Sequence, residues 1–208
     1  MREKPTTGPR RPANRRRKRN RGTILDAART LLLDEGPESL TLRRIARRAN
    51  YTAPALYEYF ESKQALVAAL AERTTTSLTS RLREVARELR DSPDGPLVEM
   101  GLAYVGFARQ NPEEFLLISS RQRAAEPAAS GGVSTSSPYR ALFETVAVEV
   151  VSGSLGSLVG QAEQITYGLW AICHGMALLQ LTSLAGFDAD FAAADRSALR
   201  AYVRGLAS

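Results

Sequence analysis

The chain has 208 residues, 44% of them hydrophobic and 24% charged, which suits one compact globular unit or two small ones. A single cysteine, Cys173, excludes an internal disulfide, and a single histidine, His174, excludes paired-histidine and Cys/His zinc spacings; no metal site and no cofactor is expected. The formal charge of +6 is unevenly placed, with +9 on residues 1–21, zero on residues 22–70 and −3 on residues 71–208.

The basic run RRPANRRRKRNR contains Arg15, Arg16, Arg17, Lys18, Arg19 and Arg21 and points to a polyanionic partner. On composition, residues 1–21 are expected to form an arm that is disordered when free. A secretory leader needs an apolar stretch behind its basic start, but GTILDAARTLLL is broken by Asp26 and Arg29. The uncharged stretch 164–187 has the length of a membrane span. Thr166, His174, Gln180, Thr182 and Ser183 interrupt it and acidic Glu163 and Asp188 flank it, so a buried helix and no membrane partner are expected.

The helical period dominates and alternating strand patterns are nearly absent, which predicts an all-α fold. A first helix over 22–35 carries Ile24, Ala28, Leu31 and Leu32 on one face, and Gly36, in the left-handed conformation, ends it before Pro37. Thr41 caps a second helix with Leu42, Ile45, Ala46 and Ala49 inward. Asn50 tolerates the left-handed turn that follows, and Thr52 caps a third helix over 53–60 with Pro54 in its first turn. Leu56 and Phe60 form its core side.

A long helix is predicted over 62–90, ended by Ser92-Pro93-Asp94-Gly95, and Pro96 opens another through Gln110. Asn111-Pro112-Glu113-Glu114 combines a cap, an early proline and two carboxylates at the positive end of a sixth helix. Residues 126–137 have loop composition. Helices over 138–151, 157–184 and 188–205 complete a count of nine, without internal repeat. In the penultimate one Ile165, Leu169, Ile172, Met176 and Leu179 form one stripe and Gly168, Ala171, Gly175 and Leu178 a second.

Two short helices joined by a tight turn make a helix-turn-helix, whose second helix can enter a DNA major groove. Arg43 and Arg44 in the first turn of one helix, and Lys63 in that of the next, oppose the helix dipole at a cost of roughly 0.3–1 kcal/mol each. A phosphate lying there reverses the sign. The start of the second short helix, Tyr51-Thr52-Ala53-Pro54-Ala55, lacks Arg, Lys, Gln and Asn, so bidentate base contacts are unavailable. Thymine-methyl contacts from Thr52, Ala53 and Ala55 remain, Arg47 or Arg48 can reach phosphate, and the basic arm can follow the backbone or enter the minor groove.

The segment TLRRIARRANYTAPALYEYFESKQALVAAL, with its Ile-Ala pair, Leu-Tyr-x-x-Phe run and Ser-Lys-x-x-Leu, resembles the DNA-binding region of tetracycline-repressor-type (TetR family) regulators. Tyr51 departs from the small aliphatic residue that many members carry. FARQNPEEFLLI and LWAICHG resemble the C-terminal domain of the subgroup named for Trp, His and Gly, here Trp170, His174 and Gly175. The resemblance implies an N-terminal three-helix helix-turn-helix domain over 22–66 and a helical ligand-binding and dimerisation domain over 67–208. Residues matching Thr41, Tyr57 and Lys63 are expected on phosphates, packing being the alternative for Tyr57. It further implies a homodimer built on the last two helices and a small hydrophobic effector. Tyr104, Phe107, Phe115, Phe143, Trp170 and His174 are the pocket candidates. For each of them plain core packing is the competing reading, and for Cys173 a buried inert thiol competes with a redox sensor.

The expected function is therefore a cytoplasmic, ligand-responsive repressor on a palindromic operator; the alternative is a ligand-independent, nucleoid-type DNA binder. No catalytic set is expected: Cys173 and His174 point about 100° apart on a helix and no other nucleophile–base pair is identifiable. Deleting residues 1–20 is expected to weaken DNA binding and flatten its salt dependence in a titration, whereas an unchanged salt slope contradicts the arm's role.

Overall fold

The computed structural model describes residues 11–124, 137–155 and 160–206. Nine α-helices occur among them and no strand: α1 (Arg11–Glu35), α2 (Leu42–Ala49), α3 (Ala53–Leu56), α4 (Lys63–Glu88), α5 (Gly95–Gln110), α6 (Pro112–Ala124), α7 (Pro138–Val151), α8 (Ala162–Leu181) and α9 (Phe191–Leu206). The chain divides into two compact units, Met1–Leu70 and Ala71–Ser208, a boundary four residues beyond the expected one. Most of the predicted loop over 126–137, and residues 157–159 of the predicted eighth helix, lie outside the described residues.

In the first unit, α1 buries Ile24, Ala28, Leu31 and Leu32, the stripe that the periodicity predicts. Gly36 ends it at φ 76 and ψ 178, a region open to glycine alone, and its N–H donates to Leu32 O at 2.9 Å. Thr41 Oγ1 accepts from Arg44 N and Thr52 Oγ1 from Ala55 N, each at 3.3 Å, so both expected caps form. Between them Asn50 takes the left-handed conformation at φ 62 and ψ 41. Ile45 and Ala46 of α2, Leu56 and Phe60 around α3, and Leu66 and Leu70 of α4 close the core over α1.

Two expectations are corrected here. Of the expected disordered arm over 1–21, residues 1–10 lie outside the described residues, and the basic residues 11–21 are helical, forming the N-terminal part of α1. Arg and Lys are good helix formers, and lengthening an already nucleated helix needs no second nucleation, so composition alone misjudges this segment. The third helix is shorter than 53–60: after Leu56 the chain turns through 57–59 with hydrogen bonds from Tyr57 N to Pro54 O and from Tyr59 N to Leu56 O.

The second unit packs around α8, which meets α5, α7 and α9. Ile165, Leu169, Cys173 and Ala177 are its buried face. Gly168 admits α9, since a Cβ there would overlap the Tyr202 phenol, and Gly101 on α5 admits Leu199 and Cys173. Asn111 gives its side-chain amide to Phe107 O at 3.2 Å, tying off α5 while Glu113 and Glu114 occupy the first turn of α6.

Polar pairs clip α9 onto its neighbours. Asp94 accepts from Arg196 and Arg200, Arg196 also donates to Glu99 at 3.2 Å, and buried Asp195 accepts from Arg109 at 3.0 Å and Gln180 at 2.8 Å. The Arg200 guanidinium holds the Asp94 carboxyl below its ordinary range; burial opposes this, and Arg196 reinforces it. Burial pushes the Asp195 carboxyl up, against the pull of Gln180 and Arg109. A carboxyl lowered in the folded state adds stability above its unfolded value and loses it as pH falls through the folded one. The stability difference between the chain and Asp94→Asn, read as melting temperature, is therefore expected to stay constant above about pH 4 and to shrink below it. A difference that widens on acidification contradicts this.

Candidate nucleic-acid interface

The caps that start α2 and α3 also place polar groups outward. Thr41 and Thr52 are exposed, each with its oxygen already held by a backbone N–H, so the hydroxyl hydrogen is free to be donated. Tyr57 follows α3 at 58% exposure, which argues against a packing role and leaves its phenol at the surface. Lys63, the first residue of α4, is exposed beside Ser62, whose Oγ accepts from Ala65 N at 3.0 Å. Ala53 and Ala55 are half-buried, and Tyr51 is half-buried with its ring edge-on to Tyr59, centroids 6.0 Å apart at 80°.

The cations divide into two groups. Arg43 is exposed, but Arg44 is paired with Glu35 and Arg48 with Asp34 at 3.0 Å. Such exposed pairs contribute about 0–1 kcal/mol, so a phosphate can exchange for the carboxylate at little cost. In the helical extension of α1, Arg15, Arg16, Arg17, Lys18, Arg19 and Arg21 are all exposed. Arg17 and Arg21 nevertheless bond to the chain itself, at Glu58 O (3.1 Å) and Tyr59 O (3.2 Å).

In the second unit, four of the six aromatic candidates come together. Tyr104 stands edge-on to Phe115 at 5.5 Å and tilted to Trp170 at 5.0 Å, while His174 stacks on Trp170 at 5.6 Å and 10°. Tyr104 Oη and His174 Nδ1 share a hydrogen bond of 2.9 Å, and burial raises the phenol's pKa far above its ordinary value, so it stays protonated. Phe107 is half-buried against the helical core, and Phe143 lies under the Arg140 guanidinium at 5.3 Å; neither makes a ring contact with this cluster. Tyr139 also meets Trp170 edge-on, centroids 5.7 Å apart at 81°, a partner the sequence reading missed.

A cavity of about 10 Å³, bordered by Tyr104, Trp170, Cys173, Met100, Leu142 and Pro138, adjoins these rings. That is the lower limit for one water. Burial pushes the Cys173 thiol up to about 12, as suits an inert core residue. A wider open groove of about 460 Å³ lies between α4 and α7, with Arg83, Arg87 and Arg90 along one wall.

Residues 24–70 match the family model "Bacterial regulatory proteins, tetR family", and residues 97–204 match "Tetracyclin repressor-like, C-terminal domain". The chain belongs to the TetR family. The HTH-type transcriptional activator FasR of Mycolicibacterium smegmatis is 29% identical over 192 residues, 91% of this chain and 85% of that protein. A solved protein from Rhodococcus sp. RHA1, described as of unknown function, superposes with a TM-score of 0.75 at 27% identity, over 91% of this chain and 95% of that one. A TetR variant from Acinetobacter baumannii AYE, in complex with minocycline, shares the fold with a TM-score of 0.61 at 24% identity, over 88% of this chain and 94% of that one.

Membership makes the chain a DNA-binding transcriptional regulator and not an enzyme. No helix among its described residues is long and apolar enough to cross a membrane. Beside the residues that carry the TetR resemblance stand three that the sequence reading overlooked: Asn20, Tyr59 and Phe60 as a docking partner of Arg21, whose guanidinium lies 4.4 Å over the Phe60 ring. The available signal was periodic, since Arg17, Asn20 and Arg21 continue the stripe of Ile24 and Ala28 backwards along α1.

Proposed function

We propose that this TetR-family regulator is a homodimeric, ligand-responsive repressor that binds a palindromic operator and leaves it when a small hydrophobic effector binds the second unit. The observation that carries the DNA reading is the capped pair α2 and α3, with Thr41, Thr52, Tyr57 and Lys63 exposed around a helix start that lacks bulky side chains. Phosphate contacts from these groups and from Arg43 position the helix, and Thr52, Ala53 and Ala55 supply apolar contact to thymine methyls. A symmetric dimer reads half-sites about one helical turn apart, roughly 34–36 Å. This work belongs in the cytoplasm, where the operator is.

The second copy is expected on α8 and α9. Tyr167 at 68% exposure, Leu179 at 48% and Phe187 at 65% leave apolar surface there, flanked by the small exposed residues Ala171, Ala194, Ala198 and Ala201. Pairing two such helices with their copies yields a four-helix interface.

The effector site is placed at Tyr104, Phe115, Trp170 and His174. The rings already fill that site, so a ligand enters only by parting them, and binds a second arrangement in preference to this one. That preference is what moves the regulator off DNA, and a coupling of about 1–3 kcal/mol suffices. Footprinting on the DNA flanking the chain's own gene, with and without candidate hydrophobic ligands, tests the reading. One protected palindrome, released by a ligand that is recovered unchanged, is expected. Protection spread evenly over unrelated DNA instead supports the nucleoid-type alternative.

A further inference from the structure

The recognition helix α3 is a single turn, too short to persist alone, and the carbonyls after its last turn have no donor within it. The amides of Tyr57, Glu58, Tyr59 and Phe60 use the carbonyls of Pro54, Ala55 and Leu56, which leaves Glu58 O and Tyr59 O pointing onward. Arg17 Nη2 donates to the first at 3.1 Å and Arg21 Nη1 to the second at 3.2 Å, while the Arg21 guanidinium covers the Phe60 ring. Cations at the negative end of a helix are the favourable arrangement. Asn20 Nδ2 donates to Tyr59 Oη at 2.9 Å, and the Tyr59 ring meets Tyr51, which precedes the Thr52 cap. One face of α1 thus holds both ends of α3.

Residues 17, 20 and 21 lie on the face that continues to buried Ile24 and Ala28; Arg15 and Arg19 lie on the opposite face and Lys18 at the edge between the two, all three exposed. We infer that the basic extension is divided by helix face, Arg17, Asn20 and Arg21 being positioning residues for the recognition helix and Arg15, Lys18 and Arg19 supplying the attraction to phosphate. The second half of this assignment rests on the DNA reading above; the first does not. A cation that stays on a carbonyl in the complex neutralises no phosphate and so displaces no DNA counterion; its removal then weakens binding through the lost positioning and leaves the salt slope unaltered.

The test uses the full chain and two readouts: amide hydrogen exchange of residues 57–60 without DNA, and affinity against salt for a duplex that the chain itself selects from random sequence. Arg21→Ala is expected to speed exchange at 57–60 roughly fivefold, the effect of one lost cap, and to lower duplex affinity with the salt slope unchanged. Tyr59→Phe keeps the ring against Tyr51 but removes the acceptor for Asn20. It should act in the same direction, and it decides the matter if Arg21→Ala does not fold. The triple variant Arg15→Ala, Lys18→Ala and Arg19→Ala should leave exchange unchanged and reduce the salt slope by about 2–3. Unchanged exchange in Arg21→Ala and Tyr59→Phe overturns the inference, as does a slope that falls by about one in Arg21→Ala. If no duplex is selected, the DNA reading fails while the exchange data still decide the positioning role.

Discussion

A one-turn recognition helix cannot fix its own direction. Four residues of α3 satisfy too few of their own hydrogen bonds, so the orientation of Thr52, Ala53 and Ala55 is set by what grips the helix ends. At the start that grip is the Thr52 cap and the Tyr51–Tyr59 contact. At the end it is a pair of arginines from α1, reaching back across about forty residues of sequence to two orphaned carbonyls. The register of α1 is in turn fixed by Ile24, Ala28, Leu31 and Leu32 in the core, so apolar packing at one end of a helix decides where cations stand at the other.

The second unit rests on a different balance. Asp94 and Asp195 draw three arginines and Gln180 between α5, α8 and α9, fixing α9 against a core whose close approaches need Gly101 and Gly168. Beside this arrangement the rings of Tyr104, Trp170 and His174 pack against one another next to a cavity of only about 10 Å³. In the proposed function a ligand parts these rings, and that can act on DNA binding only if the packed and parted arrangements differ in ligand affinity.

The features legible in the sequence were those with a local cause. Gly36, Asn50, Thr41, Thr52 and Pro54 act on backbone within four residues of themselves, and each does what its chemistry predicts. The nine helices followed from apolar periodicity, and the family from short motifs. What escaped depended on distant partners. Composition made residues 11–21 look like a disordered arm because charge density says nothing about orphaned carbonyls on another helix. Arg44 read as a free cation because Glu35 is nine residues away and on a different helix. Phe143 read as a pocket residue and Tyr139 did not, since aromatic content does not reveal which face of α7 meets Trp170.

In the proposed division of labour the basic extension of α1 serves DNA binding in two separate ways, by holding α3 and by attracting phosphate. A crystal structure of the full chain on its operator duplex measures this most directly. Arg17 and Arg21 are expected to remain on the carbonyls of Glu58 and Tyr59, with Arg15, Lys18 and Arg19 turned to the DNA backbone. Arg21 found on a phosphate, with Tyr59 O left to water and α3 unmoved, would contradict it.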